Sequence, residues 1–169
     1  AVGGGNELQM SCDLAIAAED IFIRHVGVTR GSVPAAGATQ WLPLIVGDRR
    51  AREILFLCEN IPAHQALAWG LVNRVVPPKE LDSAVDAMAE QLINTLPECA
   101  RYAKQQLNFW RDFSWGMTIG HAKDWLTVHT GSAEVQEGVR AFVEKRSIDY
   151  KGLRKRGTST VPAKSRRRR

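Results

Sequence analysis

The residues best suited to chemistry stand at the start of the chain, in the run Gly3-Gly4-Gly5-Asn6-Glu7. Three glycines followed by a polar residue and a carboxylate describe a tight turn opening a short helix. Asn6 is the expected N-cap, and Glu7 is favoured in the first turn. The first N–H groups of a helix have no intrahelical partner and can point at an anion. Donors placed in this way stabilise an oxyanion that develops on a carbonyl. Glu7 faces the same region and can act as acid or base. The same residues also make sense as a plain turn and helix cap, and taken alone they leave both readings open.

A second set falls between residues 25 and 32. His25 follows the β-rich run Ile21-Phe22-Ile23 and precedes Gly27 by two residues. A histidine there titrates near neutral pH and can deliver a proton. It can equally be an edge-strand residue bonded to backbone. Thr29 and Ser32 are loop hydroxyls of the kind that stabilise turns, and Arg30 suits a solvated surface.

These residues need elements to hold them. Leu14-Ala15-Ile16-Ala17 predicts a short buried strand, Glu19-Asp20 a turn, and Ile21-Phe22-Ile23 a second strand. Small residues and Pro34 make 27–38 a loop. Helices are expected over 39–45, 49–57 and 63–69, the last closed by Gly70. Leu71 to Val76 reads as a strand ended by Pro77-Pro78. From there the chain is helical. One helix covers 79–94, with Leu81, Val85, Met88, Ala89 and Leu92 as its apolar stripe. Another starts near Pro97, a third holds 119–128, and a fourth spans 132–145 with Val135, Val139 and Phe142 on one side. The segment GTSTVPAKSRRRR lacks apolar content and is expected to be disordered. Strands alternating with helices, then helices alone, give an α/β class. Residues 1–78 form the core, 79–150 a helical region and 151–169 a basic disordered tail.

Composition narrows the partners. The net charge of +5 is a property of the tail, where nine of the 23 Lys and Arg residues fall within 151–169. Residues 1–150 keep 14 basic against 18 acidic residues, a net of −4, so no broad face for nucleic acid is implied. No run of about 18 apolar residues suggests a membrane span. AVGGG has no basic flank and is no signal peptide; lacking Met, it reads as a truncation. Cys12, Cys58 and Cys99 form no CxxC pair, and Cys12 and Cys58 lie among apolar neighbours, as reduced buried thiols of a cytoplasmic protein do. His25, His64, His121 and His129 show no ligand spacing, so no metal site is expected. The five tryptophans are expected in the core or at subunit contacts.

Four ordered segments carry a resemblance. They are AVGGGNELQMSCDLAIAAED, GSVPAAGATQWLPLIVG, IPAHQALAWGLVNRVVP and GSAEVQEGVRAFVEKR. Together they are similar to the C-terminal part of the enoyl-CoA hydratase/isomerase (crotonase) superfamily. The resemblance implies a spiral of ββα turns with a helical C-terminal extension, and homotrimers or hexamers. It implies an acyl-CoA thioester substrate, with coenzyme A as part of the substrate and no separate cofactor. Two peptide N–H groups would hold the thioester oxygen. One is Gly4; the other, like most of the CoA-binding surface, would lie upstream of residue 1. Glu7 matches the first of two catalytic glutamates. The second would fall at Gly27, so His25 is the candidate for the missing proton carrier. Gly3, Gly27 and Ser32 would lie at the substrate, and Lys145 would approach the CoA phosphates.

Gly27 and the run Ala51 to Cys58 resemble most the branch of 1,4-dihydroxy-2-naphthoyl-CoA synthase and the alicyclic ring-cleaving hydrolases. A glycine at 27 leaves room for a cyclic acyl group, which implies a preference for alicyclic thioesters. Hydration of an enoyl-CoA is the leading expectation. Hydrolytic ring cleavage of a cyclic β-oxo acyl-CoA is the alternative. RNA binding through Arg166 to Arg169, or an inactive fragment, is the rival from another class. The tail has no aromatic residues and the body is acidic, which weighs against RNA.

Overall fold

The computed structural model describes residues 1–157. Helix α1 (Gly4–Ser11) leads into strand β1 (Ile16–Ala18) and strand β2 (Phe22–Ile23). A 3-10 turn (Gly27–Thr29) and a loop precede α2 (Ala38–Val46) and α3 (Asp48–Leu57). Then come β3 (Ile61–Pro62), α4 (Ala63–Ala68) and β4 (Arg74–Val76). The rest is helical: α5 (Leu81–Ile93), α6 (Pro97–His129), α7 (Ala133–Val143) and α8 (Tyr150–Gly157).

The strands are short, and the core is built around them. β1 pairs in parallel with β4, with Ile16 opposite Arg74, and β2 pairs antiparallel with β3, with Ile23 opposite Ile61. Asn73 lengthens the first pair: its N–H donates to Ala15 O and its Oδ1 accepts the Ala15 N–H. Met10, Ile23, Leu42, Ile54, Ile61, Leu71 and Val72 are buried in one cluster that draws on helices α1 to α4 and strands β2 and β3. Small residues let the helices close on it: Ala38, Ala63 and Ala66 are fully covered. Trp41 fastens α2 to α6. It stacks on Trp115 with ring centroids 5.4 Å apart, and Arg111 lies 4.7 Å over its ring.

Several expectations are corrected. The first helix starts at Gly4, with Gly3 as its cap at φ 55°. That backbone state is open to glycine and closed to most residues, so the turn is made before Asn6, which lies inside the helix. Residues 119–128 are no separate helix. They continue α6 without a break, since Gly116 and Gly120 weaken a helix by only about 1 kcal/mol each and no proline intervenes. The two-residue strand Ile61–Pro62 is too short to signal itself in sequence. Cys12 is exposed, because it follows α1 on the solvent side, whereas Cys58 is buried. Of the tryptophans expected in the core or at subunit contacts, Trp110 lies 63% exposed on this chain.

Residues 151–157 belong to helix α8 rather than to a disordered tail. Asp149 Oδ1 accepts the Gly152 N–H at 2.9 Å at its start, and an ionic clamp stands just before it. The Arg146 guanidinium bonds both oxygens of Glu137, at 2.5 and 3.0 Å, and the Asp149 N–H adds a third bond at 3.1 Å. These donors hold the Glu137 carboxyl at a pKa of about 2. The segment 158–169 lies outside the described residues.

The apolar side of α7 is not its buried side. Val139 and Phe142 are exposed, and Gly138 and Ala141 are the buried positions. The cause is close approach of two backbones. A Cβ on Gly138 would stand 2.4 Å from the Arg30 carbonyl, and one on Gly31 would stand 2.7 Å from Val135 Cα. Backbone cannot swing aside as a side chain can. Gly138→Ala is therefore expected to lower stability by about 1–3 kcal/mol in a thermal or urea unfolding measurement. Gly116→Ala, where a Cβ meets nothing within 4 Å, is the matched control and should be neutral or stabilising.

Candidate active site

The glycine turn is stitched to β2 before the helix begins. Gly3 N–H donates to Arg24 O at 2.8 Å, and Arg24 N–H donates to Ala1 O at 2.9 Å. The amides that follow are spent locally: Gly5 N–H on Val2 O, and both Asn6 and Glu7 N–H on Gly3 O. The Gly4 N–H makes no hydrogen bond among the described residues, and Gly4 is exposed. One donor at the positive end of α1 is thus open to an incoming oxygen.

Glu7 lies one turn further on and is 8% exposed. Its Oε1 accepts the N–H groups of Ala36 and Ala38, at 3.0 and 3.2 Å. No hydrogen bond reaches Oε2 among the described residues. The carboxylate is therefore fixed by the segment that leads into α2, and one oxygen remains for proton exchange. Beside that segment, Val33, Pro34 and Gln40 line one wall of a cavity of about 410 Å³, with Thr118 and Trp125 of α6 on the other.

Asn6 and His25 meet in the interior. Asn6 is fully buried, His25 is 2% exposed, and Asn6 Nδ2 lies 2.8 Å from His25 Nε2. Burial pushes the His25 pKa down from its ordinary 6.5, and the nearby Glu7 charge pulls it part of the way back. The unfolded chain therefore takes up this proton first. The stabilising effect is complete above pH 6.5 and is lost as pH falls through the lower folded value. The thermal midpoint is expected to drop as pH goes below 6.5, and a His25→Gln variant should show a flatter profile over that window.

None of the other named residues hydrogen-bonds the Glu7 carboxylate among the described residues. Gly27 opens the 3-10 turn, and its carbonyl accepts the N–H groups of Arg30 and Ser32 at 2.9 Å. A Cβ at 27 would stand 3.0 Å from Ser32 O, so the position is not the open space that a missing side chain suggests. Ser32 is exposed, and its hydroxyl donates to Val33 O at 3.3 Å. Thr29 Oγ1 closes its own turn on Val26 O. Arg30 lies 5.2 Å over the Phe142 ring. Lys145 is exposed just beyond α7 at φ 52°. Sequence reasoning missed Asn6 as a buried partner and the amides of Ala36 and Ala38 as ligands of Glu7. Backbone donors have no side-chain signature, and the isolated asparagine looked like a cap.

A glycine-opened helix with a carboxylate one turn in, set among short strands and helices, fits the resemblance read from the sequence. Residues 1–154 match the Enoyl-CoA hydratase/isomerase family, and the chain belongs to it. It is 32% identical over 149 residues to the short-chain-enoyl-CoA hydratase of Clostridium acetobutylicum, covering 88% of this chain and 57% of that protein. An enoyl-CoA hydratase structure from Mycobacterium avium subsp. paratuberculosis K-10 fits with a TM-score of 0.84 at 29% identity, over 89% of this chain and 61% of that one. The carnitinyl-CoA hydratase of Mycobacterium avium fits with a TM-score of 0.76 at 30% identity, over 90% and 59%. The chain thus spans about three fifths of the length of these relatives. Their names give no support to the narrower likeness to the naphthoyl-CoA synthase and ring-hydrolase branch.

Proposed function

We propose that the whole protein adds water to an α,β-unsaturated acyl-CoA thioester, and removes it in reverse. The observation that carries this reading is the Gly4 and Glu7 geometry. A free peptide N–H stands three residues before a fixed carboxylate with one uncommitted oxygen. The thioester oxygen accepts the Gly4 N–H and takes up negative charge as the enolate forms. Glu7 takes a proton from water, the hydroxyl oxygen bonds the β-carbon, and Glu7 returns the proton to the α-carbon. Both additions fall on one face, so one carboxylate serves both steps and Gly27 needs no replacement. No electrons are exchanged, so coenzyme A enters only as part of the substrate.

The cyclic-substrate reading rested on room at position 27, and the Ser32 carbonyl takes that room. Ring cleavage has no observation in its favour. Two further expectations join the proposal. Phe109, Trp110 and Phe113 form an exposed aromatic cluster on α6, and apolar surface of this kind calls for cover by other subunits, in line with a trimer or hexamer. No described helix is long and apolar enough to cross a membrane, which is consistent with a cytoplasmic enzyme.

The test is turnover of crotonyl-CoA and cyclohexenoyl-CoA by the whole protein, with products read by mass. Gain of one water is expected, with the straight-chain substrate turned over at least as well as the cyclic one. A product of C–C cleavage, or no hydration of either thioester, would overturn the reading.

A further inference from the structure

We infer that Asn6 and His25 act as a positioning pair, in which a neutral His25 accepts the Asn6 side-chain amide at Nε2 and so fixes the helix turn that carries Gly4 and Glu7. The inference rests on the function proposed above and says which buried residues make that site rigid.

Three observations converge. Asn6 lies between Gly4 and Glu7 in the first turn of α1, so whatever holds Asn6 holds both. Its amide lies 2.8 Å from the His25 ring across 19 residues of chain, with Asn6 fully buried and His25 2% exposed. The neighbouring ties between these elements, Gly3 to Arg24 and Arg24 to Ala1, are all backbone. The Asn6 bond adds a side-chain fastening beyond the turn, where the catalytic groups project.

The direction of the bond follows from the donors available. Asn6 Nδ2 can only donate, so Nε2 must offer its lone pair and the ring proton sits on Nδ1. A ring so engaged has no Nε2 proton to give a substrate, and its burial separates it from solvent. Asn6 Oδ1 has no hydrogen-bond partner among the described residues. A reversed amide would bring Oδ1 to the ring and require the opposite tautomer, so the tautomer tests the assignment directly. The charged group that reaches His25 is Glu7, whose field runs against the burial that keeps the ring neutral.

The experiment has two parts, both on the whole protein. Nitrogen NMR of the wild-type ring reads the tautomer independently of turnover. A neutral ring with its proton on Nδ1 is expected at pH 7.5. A charged ring, or one protonated at Nε2, overturns the inference. In kinetics, His25→Ala and Asn6→Ala are each expected to lower kcat about 10–100-fold with little change in KM, because misplacing a catalytic group by about 1 Å costs on the order of 100-fold. The double variant should be no worse than either single one, since the two residues share one interaction. His25→Gln should stay within about threefold of wild type, because its amide oxygen can take the place of Nε2 as acceptor. If glutamine is as damaging as alanine while Asn6→Ala is silent, His25 exchanges a proton itself and the positioning role fails. Additive losses overturn it too. If Glu7→Gln leaves turnover unchanged, the proposed function fails instead, and the NMR result still judges the pair.

Discussion

Replacing Glu7 by glutamine is expected to cut turnover by about 10²–10⁴-fold, the usual weight of a general acid–base group, with little change in KM. The substitution is clean for a structural reason. The glutamine carbonyl oxygen can take the place of Oε1 between the amides of Ala36 and Ala38. The link from α1 to the segment before α2 then survives, while the amide nitrogen in the place of Oε2 can neither accept nor release the proton. Alanine is the poorer choice. It strands two backbone donors, each at a cost of about 1–3 kcal/mol where water is excluded, and would mix a folding defect with a chemical one. Steady-state and single-turnover kinetics on crotonyl-CoA, with circular dichroism as the folding control, make the measurement. An unchanged turnover number would reduce Glu7 to a residue that ties two elements together.

The second large effect is expected at Gly4. Gly4→Pro removes one N–H and should lower the rate by about 10²–10³-fold, or ~2.7–4 kcal/mol of transition-state stabilisation. The fold has reason to tolerate it. Gly4 is the first residue of α1, where proline is favoured and the N–H has no intrahelical partner. The residue before a proline must be extended, and Gly3 at ψ −120° has the mirror image of that geometry, which an achiral residue accepts equally. Gly4→Ala keeps the N–H, and a Cβ there meets nothing within 4 Å, so alanine should stay active. Activity in both variants removes Gly4 from the oxyanion role. Inactivity in both points to a steric need for glycine.

How much of this was legible in the sequence depends on range. The glycine turn, the helix behind it and the carboxylate on that helix are written within five residues, and their order is enough. The same holds for Pro97 at the start of α6. What failed depended on distant partners. Asn6 has the preferences of a cap, but its bond goes to a histidine 19 residues away. The amides that hold Glu7 come from two alanines, whose side chains announce nothing. The buried face of α7 is set by a glycine that fits against Arg30 and Gly31, while Val139 and Phe142 on its apolar side are exposed. Position 27 shows the same limit. A glycine in sequence marks a missing side chain, and only the fold shows that another backbone fills the space.

Both amides that reach Glu7 fall on the same oxygen, Oε1. In the proposed reaction this gives the base a handedness. A carboxylate free to rotate would offer either oxygen and approach a planar enolate from a range of angles. One anchored through Oε1 presents Oε2 from a fixed position, and in that reaction the enolate lies against the Gly4 amide with one side turned toward it. Isotope drawn from heavy water would then enter one of the two prochiral positions at the α-carbon and be withdrawn from that position alone in the reverse direction. In that reaction the stereochemistry of the product would be set by two alanine N–H groups that hold the base rather than take part in the chemistry.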